Sequence, residues 1–422
     1  MPNRSAPPPI ANVNRVPFPE HTEYFMVGKV PVVRLQSDSY SVVKIEIIFD
    51  AGRLYESKRS VGKATNLLLK SGTLSKTIKE INETIDYHGA TISLPVNFDH
   101  SSIVLYCLSK YVSQLLPLVF EILTQPVFPQ KEFEFFTEQQ KSKLKVALQN
   151  VDNQAYRIIT EQIFGKGHPY GYNSSLEDYD LMTRDDLIRH HRQLYHLDNC
   201  RVFISGNMSD SDFRSLEEML GTIPSGKKPS LCPQHEPLAK PAKIKTPFDG
   251  KVQSAIKIGR KTFNRQHEHY QQLYILNTLL GGYFGSRLSM NIREKRGFTY
   301  GIHSSLDAMA HDGCLIISTE VANTYVEPTL KAIYEEIDDL KTKLVNDLEL
   351  QQMRSYLMGY FLNSVDGVFR SSTVIRGLKE NGVGKEFFNS IQDQLMSISA
   401  KDIRNMANQY LQKDDLWEVV VG

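Results

Sequence analysis

The sequence predicts an α+β chain built from two copies of one domain, each an antiparallel-rich sheet with helices packed on one face. Three observations carry this. Short runs of alternating apolar and polar residues, the mark of strands with a buried face, occur in both halves. Runs with apolar residues at helical spacing are grouped apart from them, which is the α+β arrangement. Finally, a shift of 216 positions (Gly422 minus Gly206) superposes Asp186 on Asp402, Leu187 on Ile403 and Gln193 on Gln409. The same shift pairs Asp198 with Asp414 and Phe203 with Val419. Repeats of a few tens of residues would mean a solenoid; a period of half the chain means a duplicated domain.

In chain order, Val43-Lys44-Ile45-Glu46-Ile47 alternates apolar and charged residues and reads as a strand with one buried face. Gly62 to Lys70 reads as a short helix closed by Ser71-Gly72. Ala90 to Val96 and Ile103 to Leu108 are strands, with Asp99-His100-Ser101 as the turn between them. Leu115, Leu116, Val119, Phe120 and Leu123 mark a helix ended by Pro126. One or two more helices span Glu132 to Phe164, with a break near Asp152-Asn153. Thr183 or Asp185 caps a helix running to about Tyr195, and Cys200 to Ser205 is a strand. In the second half, Ile256 and Ile258 belong to a strand, Tyr270 to Leu280 to a helix ended by Gly281-Gly282, and Leu315 to Val321 to a strand. Leu330, Ile333, Ile337, Leu340 and Leu344 form one helix stripe.

Six prolines between Pro224 and Pro247 favour an extended linker. The expected organisation is therefore an extended arm over 1–22, a first domain over 23–223, a proline-rich linker over 224–247 and a second domain over 248–422.

Composition narrows the function. A formal net charge of +1 gives no concentrated positive field for nucleic acid or an anionic membrane surface. No apolar run approaches the ~18–20 residues of a membrane helix, and the proline-rich N-terminus has no signal-peptide core. A cytoplasmic protein is expected, with no nucleic-acid or membrane partner. The four cysteines are widely spaced, without a Cys-x-x-Cys pair, so neither a cysteine zinc site nor a disulfide framework is expected. Cys107 and Cys314 lie in apolar runs and read as buried hydrophobes.

The stretch Arg293 to Leu306 carries the candidate chemistry. Arg296 and Tyr300 lie four residues apart around a Gly-Phe-Thr turn. A guanidinium and a phenol so placed can both donate hydrogen bonds to one carbonyl or oxyanion.

Ordered landmarks make the chain resemble the pitrilysin/insulinase-like zinc metallopeptidase family, whose relatives include mitochondrial processing peptidase and the core proteins of respiratory complex III. They are Asp50-Ala51-Gly52-Arg53 with Glu56, Gly62-Lys63-Ala64, Gly72-Thr73 and Gly165 to Gly171. In the second half they continue with Gly281-Gly282, Ser286-Arg287-Leu288, Arg293-Glu294-Lys295-Arg296-Gly297 and Tyr300-Gly301. The resemblance implies a zinc held by an inverted His-x-x-Glu-His helix. Histidines four apart share a helix face, and the glutamate activates the metal-bound water. This chain departs from that pattern. The corresponding helix, Gly62 to Leu69, has neither His nor Glu, and no two of the twelve histidines are four apart. The stretch Gln139 to Thr160, where the third ligand belongs, has Asp152 as its only acid. His190 and His191, about 100° apart on a helix, read as solvated or helix-end residues, and His88 and His168 as structural. His267-Glu268-His269 sits at a helix start and reads as no more than an adventitious site.

No metal site and no cofactor are expected in this chain. The resemblance implies that Arg296 and Tyr300 face a partner's zinc, with Gly297, Phe298 and Gly301 as substrate-binding positions. It also implies a clam-shell of two such chains acting on peptides. The expectation is a non-catalytic subunit paired with a similar-sized zinc-motif chain, or with itself, supplying Arg296 and Tyr300 in trans. The alternative is an inert scaffold or peptide-binding protein of the core-protein kind.

Overall fold

The computed structural model describes residues 13–19, 22–229 and 239–422. The first half supplies β1 (Thr22–Val27), β2 (Val30–Gln36), β3 (Val42–Phe49), β4 (Thr91–Ser93), β5 (Ser101–Leu108) and β6 (Cys200–Gly206), in the order β1-β2-β6-β3-β5-β4. The second supplies β7 (Lys243–Thr246), β8 (Gln253–Thr262), β9 (Ile302–Ala308), β10 (Gly313–Ala322) and β11 (Trp417–Val421), in the order β7-β11-β8-β10-β9. With β1 set aside the two orders coincide. Each sheet has one parallel pair, β2 with β6 and β7 with β11, and is otherwise antiparallel. The duplication inferred from the 216-residue shift is thus a duplication of topology. The shift also maps the capping box Thr183/Asp186 onto Ser399/Asp402, where each hydroxyl and carboxylate satisfy orphan N–H groups of a helix start.

One face of the first sheet (Val43, Ile45, Ile47, Ile103, Leu105) packs under helices Val61–Leu68, Ile78–Tyr87, Val112–Thr124 and Arg184–Leu194. In the second sheet, Ile256, Ile258, Leu315 and Ile317 lie under helices Tyr270–Asn277, Val326–Thr342 and Ala400–Tyr410. These are the expected helical layers.

The opposite faces hold what periodicity did not show: each takes one helix from the other half. Helix Val151–Phe164 lays Val151, Ala155, Ile159 and Ile163 on Ala255, Ile316, Trp417 and Val419 of the second sheet. Helix Val368–Glu380, its equivalent by the 216-residue shift, lays Ile375 on Val33, Leu35, Ile48 and Phe203 of the first. The charged face of β3 is therefore covered, contrary to the reading of a strand with one buried face. Glu46, 1% exposed, pairs with Lys44 at 2.8 Å and with Arg376 of the exchanged helix at 2.5 Å.

Other expectations shift at element ends. The strand read over Ala90 to Val96 stops at Ser93, because Pro95 cannot donate to the ladder. The helix from Tyr270 is α-helical to Asn277 and then widens into π turns over Thr278–Gly282. Leu344 lies past its helix end and is exposed. Much of the arm, 1–12 and 20–21, lies outside the described residues, but Val16 is buried in the second core and its N–H donates to Gln392 at 2.7 Å. Linker residues 230–238 lie outside them too, whereas 243–246 form β7. Cys107, Cys200 and Cys314 are free and buried, and burial pushes their thiols up, Cys107 and Cys200 to about 12.

Candidate functional site

The Arg/Tyr stretch begins inside a helical segment, Ser289–Lys295, wound with i→i+5 hydrogen bonds. The Arg296 N–H reaches Asn291 O at 3.1 Å, the wide turn that recurs at functional sites. Gly297 ends it at φ +64, a left-handed conformation suited to glycine, as in helix-terminating turns. Thr299 then ties the chain down. Its hydroxyl donates to Glu320 O at 2.7 Å and accepts from the Gly301 N–H at 3.1 Å, while Thr319 donates to Gly301 O at 2.9 Å. Phe298 stacks on Tyr325 with centroids 4.9 Å apart and packs against the second core.

Between these anchors Tyr300 projects outward, 96% exposed, its hydroxyl without a partner among the described residues. It lines a chamber of about 700 Å³ between the exchanged helix 151–164 and the second sheet. Facing into the chamber are Asp152 and Tyr156 from the helix, Lys257 from β8, His303 from β9 and Glu320 from β10. Asp152 holds Lys257 at 2.5 Å. Burial and the Lys257 charge both lower the His303 pKa; burial and Asp152 raise that of Glu320. The chamber therefore presents hydrogen-bond donors and acceptors around one internal ion pair, suited to a peptide main chain.

The two sequence-predicted side chains do not converge. Arg296 lies outside the chamber, its Nε donating to Asn291 Oδ1 at 2.9 Å and Nη2 to Glu335 at 3.0 Å. Arg293 is the guanidinium joined to Tyr300, donating from Nε to its backbone carbonyl at 2.9 Å. The sequence pointed to Arg296 by its spacing from Tyr300, which counts separation and not direction. Lys257 and His303 were missed: each sits in an alternating strand, where a charged or polar residue reads as solvent-facing. Gly297, Phe298 and Gly301 shape the segment that carries Tyr300, and Gly301 alone of the three lines the chamber.

In the first half, helix Val61–Leu68 occupies the place of the metal helix but carries no ligands for one. Asn66 is instead a structural knot. Its amide donates to Leu94 O, Pro95 O and Ser102 O, and its carbonyl accepts from Tyr195. Lys63 donates to Gln140 at 3.0 Å. Glu56 caps the helix by accepting from the Ser60 and Gly62 N–H groups, each at 3.0 Å. Burial pushes its carboxyl up to about 8, against these donors and Arg53. Among the described residues no three His, Cys, Asp or Glu side chains gather to hold a metal ion. Several described histidines are held by hydrogen bonds within the fold. His190 is buried and not solvated, donating to Ala51 O at 3.1 Å, and His191 donates to Leu123 O at 2.8 Å. His168 accepts from the Tyr170 N–H through Nδ1, and His269 meets the Tyr410 hydroxyl.

Comparison with known proteins agrees with this geometry. The model of Insulinase (Peptidase family M16) matches residues 32–167, and that of the Peptidase M16 inactive domain matches 182–357, in the order of the two sheets. The chain belongs to the insulinase-like M16 peptidase family. It is an inactive-type member, with the family's fold and, among the described residues, no side-chain cluster able to hold a metal ion. It is 22% identical over 347 residues to the uncharacterized zinc protease YmxG of Bacillus subtilis, covering 81% of this chain and 83% of that one. To the non-peptidase homolog YmxG of Helicobacter pylori it is 21% identical over 412 residues, covering 94% and 92%. A crystal structure described as the peptidase M16 inactive domain from Pseudomonas fluorescens superposes with a TM-score of 0.86 at 21% identity, covering 95% of this chain and 98% of that one. Among the described residues no helix is long and apolar enough to cross a membrane.

Proposed function

We propose that this M16-family chain is the non-catalytic subunit of a two-chain zinc metallopeptidase. It closes a clam-shell over a similar-sized partner that carries the metal helix, and it admits peptides to the chamber between them. The observation that carries this reading is Tyr300, a fully exposed phenol anchored on both sides at a chamber mouth. An exposed aromatic with a rigid backbone and a free O–H is a pre-positioned donor for a substrate carbonyl oxygen. Metal and water-activating carboxylate belong to the partner; this chain contributes hydrogen bonds and chamber walls. Arg293 holds Tyr300 in place, and Arg296 would join the substrate only by leaving Glu335.

The test is reconstitution with a zinc-motif partner, followed by substitution. Tyr300→Phe lowers kcat on the order of 10²–10³, the cost of one oxyanion donor, at unchanged thermal stability. Arg293→Ala lowers it through misplacement of Tyr300, and comparison with Arg296→Ala shows which guanidinium matters. Full activity in Tyr300→Phe would overturn the reading.

A second reading, an inert scaffold or peptide-binding protein, draws on the engagement of Arg296 by Asn291 and Glu335, which gives the motif a packing role. It predicts no partner-dependent hydrolysis and a stability loss in Arg296→Ala.

A further inference from the structure

Four helices of the second half, Tyr270–Asn277, Asp347–Ser364, Val368–Glu380 and Lys385–Ser397, do not close on one another. They leave a cavity of about 570 Å³ that shares no lining residue with the Tyr300 chamber. Its walls are aromatic, from Tyr270, Tyr274, Phe361 and Phe388, with the guanidiniums of Arg265, Arg370 and Arg376 set among them. Arg376 is paired with Glu46 and lies 3.8 Å from Glu380. Arg265 and Arg370 form no ion pair among the described residues; Arg370 donates only to Asn363. Arg265 meets the Tyr270 hydroxyl, while its Nε is buried with no hydrogen-bond partner. An unpaired buried donor on a cation is costly unless something satisfies it.

Gly377 opens onto the same space from the middle of its helix. Glycine weakens a helix interior relative to alanine, so it is expected there only where a side chain would obstruct something. A Cβ at Gly377 would meet no atom within 4 Å. Nothing in the described chain needs that space.

We infer that this cavity binds a small organic acid, with its carboxylate on the Arg265 guanidinium and an aromatic or aliphatic body against the tyrosine and phenylalanine walls. The volume is that of a small-molecule site, the Arg265 guanidinium on the cavity wall matches a carboxylate, and Arg370 makes the rim net positive. The inference is independent of the peptidase reading.

Calorimetric titration of the full chain tests it with 2-naphthoate and octanoate as aromatic and aliphatic probes and 2-naphthalenemethanol as the neutral control. One site should take an acid about tenfold or more tightly than the alcohol, a difference set by the charged hydrogen bond. Arg265→Gln should remove that preference. Gly377→Phe should abolish binding without lowering the melting temperature, since it fills open space; Gly377→Leu serves if the ring fits badly. Equal affinity for acid and alcohol, no binding of either acid, or undiminished binding in a folded Gly377 variant would each overturn the assignment.

Discussion

At the scale of single residues, two neighbouring histidines carry an acid sensitivity unrelated to the candidate site. His190 and His191 each donate from Nε2 to a main-chain carbonyl, and burial lowers both pKa values to about 4. Free histidine binds its proton near 6.5. The unfolded chain therefore binds more protons than the folded one as pH falls from about 6.5 to about 4, and stability is lost across that window. A shift of that size is worth roughly 3 kcal/mol per histidine. His190→Gln keeps a donor for Ala51 and removes the titration, so urea midpoints measured at pH 7 and pH 5 should lie closer together than in the wild type. Gly281 shows a steric limit of the same local kind. A Cβ there would stand 2.6 Å from the Ser304 backbone nitrogen, which cannot yield as a flexible side chain would. Gly281→Ala should cost about 1–3 kcal/mol, and an unchanged melting temperature would contradict the packing described.

At the scale of elements, the two copies are stabilised by equivalent devices. Thr183 and Ser399, each capping a helix that leads into the closing strand of its sheet, accept from the N–H groups of Asp186 and Asp402. Replacing either by alanine should cost about 1 kcal/mol. Being in different halves, the two losses should add within about 0.5 kcal/mol in the double variant. The first cap was read from the sequence as Thr183 or Asp185, and β3, β5, β6, β8, β10 and β11 were legible too, because capping residues and strand alternation are local signals; the Ser399 cap was not read. The hairpin of β1 and β2 and the helix Ile78–Tyr87 were not read from the sequence. In the candidate site, Tyr300 was legible from its motif. Arg293 was not considered, since which guanidinium turns toward Tyr300 depends on the π-wound segment before it. Lys44 and Glu46 illustrate the deeper limit. Charged residues alternating with Val and Ile signal a wet face, unless a distant segment supplies both cover and counter-charge. Arg376, 330 residues away from Glu46, does so here.

At the scale of the molecule, that exchange of helices decides how the halves behave. Each sheet is sealed by a helix encoded in the other half, and each seal includes an ion pair, Glu46–Arg376 on one side and Asp152–Lys257 on the other. Glu46→Ala leaves the buried Lys44 without a carboxylate and Arg376 with Glu380 alone, and should cost about 3–5 kcal/mol, the range for breaking a buried pair. Exposing either sheet also exposes apolar surface on the helix taken from it, so neither half can unfold alone without unsealing the other. The chain should therefore unfold in one cooperative transition despite its two sheets and two cores. Trp417, the single tryptophan, tests this because it lies in β11 beneath the exchanged helix, within the second sheet. Ile47 is buried in the first core, on the other sheet. Ile47→Ala should remove about 2–5 kcal/mol. If the halves are interlocked, the Trp417 fluorescence midpoint moves by the same amount as the circular-dichroism midpoint, and the two curves stay superimposed. A Trp417 transition left at its wild-type midpoint, with an earlier second step in the circular dichroism, would mean that the exchanged helices decorate two independent domains.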